Sequence, residues 1–160
     1  NRPKGPRCIA LVGPFQSGKT TLLEAILART GAIQRQGSVE AGTSVGDNSK
    51  EARHHGMSVE LSVATTTFMD DSYTFIDCPG SVEFIHDMRA ALPAVDAAVV
   101  VCEADEKKVP QLQLVLRELE DQKIPHFLFL NKIAKADKRL RETLQILQPA
   151  SRIPLLLRQI

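Results

Sequence analysis

The sequence predicts an α/β fold: a mixed, mainly parallel sheet flanked by helices, with one antiparallel hairpin strand. Three observations predict it. Short apolar runs alternate with stretches of helical period along the chain, the pattern of strand–helix units. A glycine-rich segment, Gly13-Pro-Phe-Gln-Ser-Gly-Lys19-Thr20, joins the first apolar run to the first helical one. Two strand-like runs then meet across the polar turn Asp70-Asp71-Ser72, which makes a hairpin and so a mixed sheet.

Arg7 to Val12 is the first strand, and a helix from about Lys19 to Arg29 places Leu22, Ile26 and the neighbouring Ala25 at core-facing spacing until Thr30-Gly31 stops it. From Ala32 to Gly56 the chain is polar, punctuated by glycines and without sustained period. A loop that long inside a compact domain is uncommon and reads as functional or mobile. Met57 to Phe68 alternates Val59, Leu61 and Val63 against Ser58, Glu60 and Ser62, as a half-buried strand does, and Tyr73 to Ile76 is its return partner. A helix from about Val82 to Leu92 carries Val82, Ile85, Met88 and Leu92 on one face, with Pro93 beyond its end. Ala97 to Cys102 is a buried strand. Pro110 opens a helix with Leu112, Val115, Leu116 and Leu119 as its stripe, and Pro125 leads into the strand His126 to Leu130. A last helix, about Lys138 to Leu147, precedes a short apolar strand, Ile153 to Leu157.

At 160 residues the chain fits one domain with a sizeable core, and 43% hydrophobic with 24% charged residues is ordinary for a soluble globular protein. Six Phe, one Tyr and no Trp make that core aliphatic. A net charge of +1 argues neither for nor against a nucleic-acid partner, so any such contact must come from a local patch or from regions outside this chain; no direct DNA binding is expected. Cys8, Cys78 and Cys102 are far apart and lie in or beside apolar runs, which reads as buried thiols in a reducing compartment. The basic, proline-containing start, Asn1 to Pro6, leads into an apolar run too short for a secretory leader, and no run reaches bilayer length. No membrane partner and a cytoplasmic location are therefore expected.

The G-x-x-x-x-G-K-T segment is a phosphate cradle. Its backbone N–H groups turn inward, the lysine reaches the outer phosphates and the last hydroxyl ligates magnesium. Gly13 and Gly18 allow the backbone its tight path, Lys19 neutralises charge, Thr20 holds the metal and the helix N-terminus adds its dipole. Asp77 directly follows an apolar strand, where P-loop phosphate-transferring enzymes keep the carboxylate that orients the magnesium shell. Gly80, three residues on, offers an N–H to the γ-phosphate. Asn131-Lys132 ends another strand, at the carboxyl edge where α/β sheets bind ligands. That place suits base reading, although an exposed Asn-Lys pair at a strand end is the commoner meaning of such a dipeptide.

With these motifs in order, the chain resembles the GTP-binding domain of translational GTPases, most closely elongation factor G. The likeness extends through G-P-F-Q-S-G-K-T-T-L-L-E-A-I-L-A-R-T-G from Gly13 to Gly31, G-S-V-E-A-G-T-S-V-G-D-N-S-K-E-A-R-H-H-G-M-S-V from Gly37 to Val59, and F-I-D-C-P-G-S-V-E-F from Phe75 to Phe84. The resemblance implies a P-loop NTPase G domain over residues 1–147, with 148–160 as the start of an inserted subdomain or a last strand. It implies GTP or GDP and Mg²⁺ as cofactors, and the ribosome as a partner through the full-length protein. It makes Gly13, Gln16, Ser17, Gly18, Lys19, Thr20 and Thr21 the phosphate loop, Gly37 to Ser58 switch I and Asp77 to about His86 switch II, with Lys19 and Gly80 the candidate catalytic positions. Nucleotide contacts also fall to Asp77, Gly80 and the guanine-recognition pair Asn131 and Lys132, and the metal to Thr20, Ser58 and Asp77.

The chain departs from the family pattern in four places. Ser81 stands where the family has the histidine that aligns the attacking water. Such groups are typically worth about 10²- to 10⁴-fold, so slow or absent hydrolysis is expected. Ala134 takes the fourth place of N-K-x-D, which removes an acceptor of two hydrogen bonds from guanine. Gln16 replaces the usual aspartate, and no fifth, serine-alanine motif follows, as expected of a piece of a larger factor. His54, His55, His86 and His126 read as solvated or structural residues rather than ligands. Lys132, Lys135, Lys138, Arg139 and Arg141 form a basic cluster that a solvated helix start explains as well as RNA contact does. Two other readings compete: a divergent nucleotide-binding or non-hydrolysing interaction module with weakened guanine specificity, and a P-loop kinase or ATPase, which leaves the long switch I likeness unexplained.

Overall fold

The computed structural model describes residues 7–14, 17–32, 62–78, 89–132, 140–156 and 158. Five strands form one sheet: β1 (Arg7–Val12), β2 (Ser62–Phe68), β3 (Asp71–Asp77), β4 (Ala97–Cys102) and β5 (His126–Leu130), in the order β2-β3-β1-β4-β5. β1 runs parallel to β3 and β4, β4 runs parallel to β5, and only β2 pairs antiparallel, with β3. The predicted mixed, mainly parallel α/β sheet is the observed one. β1 and β4 are the interior strands whose sequences, Cys8 to Val12 and Ala97 to Cys102, are continuous apolar runs, as strands covered on both faces require.

Side chains alternate across the sheet and divide the core in two. On one face Leu11 and Phe75 pack against Leu23 and Leu27 of α1 (Lys19–Arg29), with Ile9, Tyr73 and Val99 around them. On the other, Ala10, Val12, Val100 and Cys102 meet Leu112, Leu116 and Leu119 of α2 (Val109–Asp121), then Leu147 of α3 (Leu140–Leu147) and Ala150. Burial of each leucine is worth roughly 1.5–3 kcal/mol, so these leucine contacts hold the helices to the sheet.

Three expectations are revised. The α1 stripe centres on Lys19, Leu23 and Leu27, one residue further along than Leu22 and Ile26, which are only partly buried. The fourfold spacing of the buried set keeps it on one helix face, and Lys19 belongs to that face. In β2 the inward residue is Thr66, while Val63 is 63% exposed. Thr66 is accommodated because its hydroxyl donates to Thr30 Oγ1 at 2.6 Å, and Thr30 donates in turn to the Ile26 carbonyl at 2.9 Å. Finally, residues 153–156 form no strand. Their backbone is held by side chains instead: Gln148 Nε2 donates to the Ile153 carbonyl at 3.1 Å and Gln148 Oε1 accepts from Leu155 N–H at 2.9 Å. Arg152 anchors the same segment to α2 through Glu120 at 2.6 Å and Asp121 at 2.7 Å.

Within the expected helix Val82 to Leu92, residues 89–91 are helical and a 3₁₀ turn, Leu92–Ala94, follows; 82–88 lie outside the described residues, as do Met57 to Leu61 of the expected first hairpin strand. Cys78 and Cys102 are buried and Cys8 is half-buried, all three as free thiols. Among the described residues no helix is long and apolar enough to cross a membrane, and no cluster of three or more His, Cys, Asp or Glu could hold a metal.

Candidate nucleotide-binding site

Because β1, β3, β4 and β5 run in one direction, their carboxyl ends meet at one edge of the sheet. Gly13 follows β1, Asp77 ends β3, Glu103 follows β4 and Asn131 follows β5. Residues far apart in sequence are thereby collected around the loop that leads into α1.

The two motif glycines are there for space as well as conformation. Gly13 has φ 153°, and a Cβ there would fall on the Val101 carbonyl oxygen of β4. Gly18 has φ 98°, and a Cβ would fall on the side-chain amide nitrogen of Asn131. Gly18 is also the N-cap of α1 and makes no side-chain cap bond, so the positive end of the helix dipole faces the loop without a side-chain cap.

Lys19 is 8% exposed despite its charge. Burial pushes its amine below the ordinary value of 10.5, and the negative charge of Asp77, with a smaller electrostatic contribution from the Cys78 side chain, opposes that shift. Thr20 Oγ1 donates to Asp77 Oδ2 at 3.0 Å, which joins the two described candidate metal ligands in one contact. Asp77 itself is fully buried, and the following Cys78 N–H donates to the Leu11 carbonyl at 3.0 Å, fixing the end of β3 against β1. Ser17 is 1% exposed, and its hydroxyl has no hydrogen-bond partner among the described residues. A buried polar atom left this way costs about 1–3 kcal/mol unless a ligand satisfies it. The uncapped helix start, the unpartnered Ser17 hydroxyl, the buried ammonium and the Thr20–Asp77 pair are a donor and acceptor set that fits an anionic phosphate with its divalent cation.

Asn131 reaches this loop directly. Its Nδ2 donates to the Ser17 carbonyl at 3.0 Å, its backbone N–H donates to the Cys102 carbonyl at 2.8 Å, and its Oδ1 accepts from the Lys132 N–H at 2.9 Å. Lys132 adopts φ 57°, unusual without glycine, and its Nζ pairs with Glu103 at 2.8 Å. Lys108 Nζ joins the same carboxylate at 3.0 Å. Burial pushes the Glu103 carboxyl up, but the hydrogen bonds from Lys132 and Lys108 outweigh it and hold the group below its ordinary value.

The structure thus brings together Gly13, Ser17, Gly18, Lys19, Thr20, Asp77, Asn131 and Lys132. Thr21, on the first turn of α1, is exposed. Gln16, Ser58, Gly80, Ser81, Ala134, His54, His55 and His86 lie outside the described residues. His126 is local in its contacts, with Nδ1 2.9 Å from the Ile124 carbonyl. Sequence reasoning missed Glu103 and the Asn131–Ser17 contact. The available signal for Glu103 was its place one residue beyond β4, beside the end of the Asn131 strand.

Comparison with known proteins shows the family and the fold. Residues 4–151 match the family described as elongation factor Tu GTP binding domain. An elongation factor G-like protein of Synechocystis sp. is 43% identical over 96% of this chain, and an oxytetracycline resistance protein of Streptomyces rimosus is 37% identical over 89%. The chain spans 23% and 22% of the lengths of these relatives. A Thermus thermophilus protein of known crystal structure superposes with a TM-score of 0.79 at 34% identity, over 89% of this chain and 22% of that one. The bacterial selenocysteine-specific elongation factor EF-Sec shares the fold, with a TM-score of 0.65 over 90% of this chain and 22% of its own.

Proposed function

The chain belongs to the translational GTPase family, as a GTP-binding domain of the elongation factor Tu type, and from that premise we propose that it binds GTP and GDP with magnesium and hydrolyses GTP. In this reading it is the ribosome-linked switch of a larger, elongation factor G-like protein of the cytoplasm. The observation that carries the proposal is the convergence of the buried Lys19, the unpartnered Ser17 hydroxyl and the Thr20–Asp77 contact at the uncapped start of α1.

Each residue has a role that follows from its chemistry. Lys19, held in a site poor in water, gives a positive charge whose pull on phosphate oxygens is stronger than it is in bulk solvent. Ser17 and the first N–H groups of α1 orient the same oxygens. Thr20 and Asp77, with Ser58 added from switch I, would hold the magnesium ion. That ion, when bound, neutralises charge developing between the β- and γ-phosphates. The Gly80 N–H completes the γ-phosphate contacts and so reports the nucleotide state to switch II. Asn131 and Lys132 hold the base, with Asn131 tying that loop to the phosphate loop through Ser17.

A second reading, an interaction module that holds nucleotide without hydrolysing it, is favoured by Ser81 and Ala134. Phosphate release from GTP by the full-length protein, with and without ribosomes, separates the two. Stimulation by ribosomes supports the switch; release at the uncatalysed rate under both conditions leaves the interaction module.

A further inference from the structure

We propose that Glu103 is a positioning residue for base recognition, acting through Lys132 and Asn131; this rests on the guanine-nucleotide reading above. Glu103 lies one residue beyond the Cys102–Leu130 pairing of β4 and β5, level with the first residue after β5. One of its oxygens, Oε1, takes both Lys108 and Lys132, and its side chain is 18% exposed against 38% for Lys132. Lys132 sits at φ 57°, a conformation that a non-glycine residue keeps only when its surroundings hold it there. Two contacts help to do so: its N–H donates to Asn131 Oδ1 and its Nζ to Glu103. The other end of the Asn131 side chain donates to the Ser17 carbonyl. A continuous chain of contacts therefore runs from Lys108, the residue before α2, through Glu103, Lys132 and Asn131 into the phosphate loop.

Without the Glu103 charge, the Lys132 head group loses this ion pair and the left-handed turn loses one of these restraints. The orientation of the Asn131–Lys132 edge is then lost, while Lys19, Thr20 and Asp77 still hold phosphates. The consequence is selective: affinity for guanine nucleotide falls and affinity contributed by the phosphates stays.

The test is calorimetric titration of GDP and ADP, with magnesium, into the unaltered chain, Glu103→Gln, Lys132→Met and the double variant, with thermal melting of each. GDP binding to Glu103→Gln is expected to weaken about three- to tenfold with ADP binding unchanged, so the preference ratio falls by the same factor. In the Lys132→Met background, Glu103→Gln is expected to add no further loss. An unchanged ratio, an equal loss for GDP and ADP, or fully additive losses would overturn the role. Absence of any guanine preference in the unaltered chain overturns instead the guanine reading on which the role rests. Should Glu103→Gln fail to fold, Glu103→Asp keeps the charge but shortens its reach to Lys132, and an unchanged ratio in it is equally contrary.

Discussion

Lys19 is placed where burial costs stability and where, in the proposed function, its charge serves binding. Its ammonium lies buried at 8% exposure, and burial holds its pKa below the ordinary 10.5. The unfolded chain therefore binds that proton more tightly, and the destabilisation is relieved as pH rises from the folded-state value toward 10.5. Lys19→Met is expected to raise the melting temperature of the nucleotide-free protein, by on the order of a few degrees, and the gain should narrow as pH approaches 10.5. The same variant should bind GDP at least about 100-fold more weakly, since a buried charge–phosphate contact is removed. Differential scanning calorimetry across pH and nucleotide titration check the two halves. Lys19 was legible in the sequence because the G-x-x-x-x-G-K-T spacing carries its mechanism. Glu103 was not: within Glu103-Ala-Asp-Glu-Lys-Lys it reads as one charge of a solvated stretch, and only the β4–β5 pairing places it beside Asn131.

At the scale of elements, the parallel strands were the easiest to read. β1, β4 and β5 follow their apolar runs to within a residue: β1 and β4 lie inside the sheet and are covered on both faces, which leaves no room for polar interruption, while β5 is an edge strand with Phe127 and Phe129 exposed. The α1 stripe was harder, since Leu22, Leu23, Ile26 and Leu27 offer two overlapping helical faces and the sheet selects the one containing Leu23 and Leu27. The apolar Ile153 to Leu157 run looked like a strand, yet Gln148 and Arg152 bind its neighbourhood with side chains, a contact that periodicity does not encode. Leu116→Ala in α2, a fully buried position, is expected to cost about 2–5 kcal/mol in urea unfolding without changing nucleotide preference. Gly18→Ala should act on both readouts. Its φ of 98° is strained for alanine and its Cβ meets the Asn131 amide, so stability falls by about 1–3 kcal/mol, the Asn131–Ser17 tie is broken and GDP affinity drops about tenfold or more.

Over the whole molecule, the arrangement of strands decides where chemistry can occur. A sheet with four co-directional strands gathers Gly13, Asp77, Glu103 and Asn131 at one edge, and no other edge of the described residues collects a comparable set. The α/β class, the hairpin and the phosphate loop could be read from sequence because each has a local signature. The joining of Asn131 to Ser17, across 114 residues, depends on strand order and could not. The central claim is that this edge holds a guanine nucleotide with magnesium. Its most direct test is titration of the chain with GDP, GTP, ADP and ATP in the presence and absence of magnesium. Magnesium-strengthened binding of GDP and GTP, with ADP and ATP at least about tenfold weaker, is the predicted result; equal binding of all four, or binding of none, would contradict it.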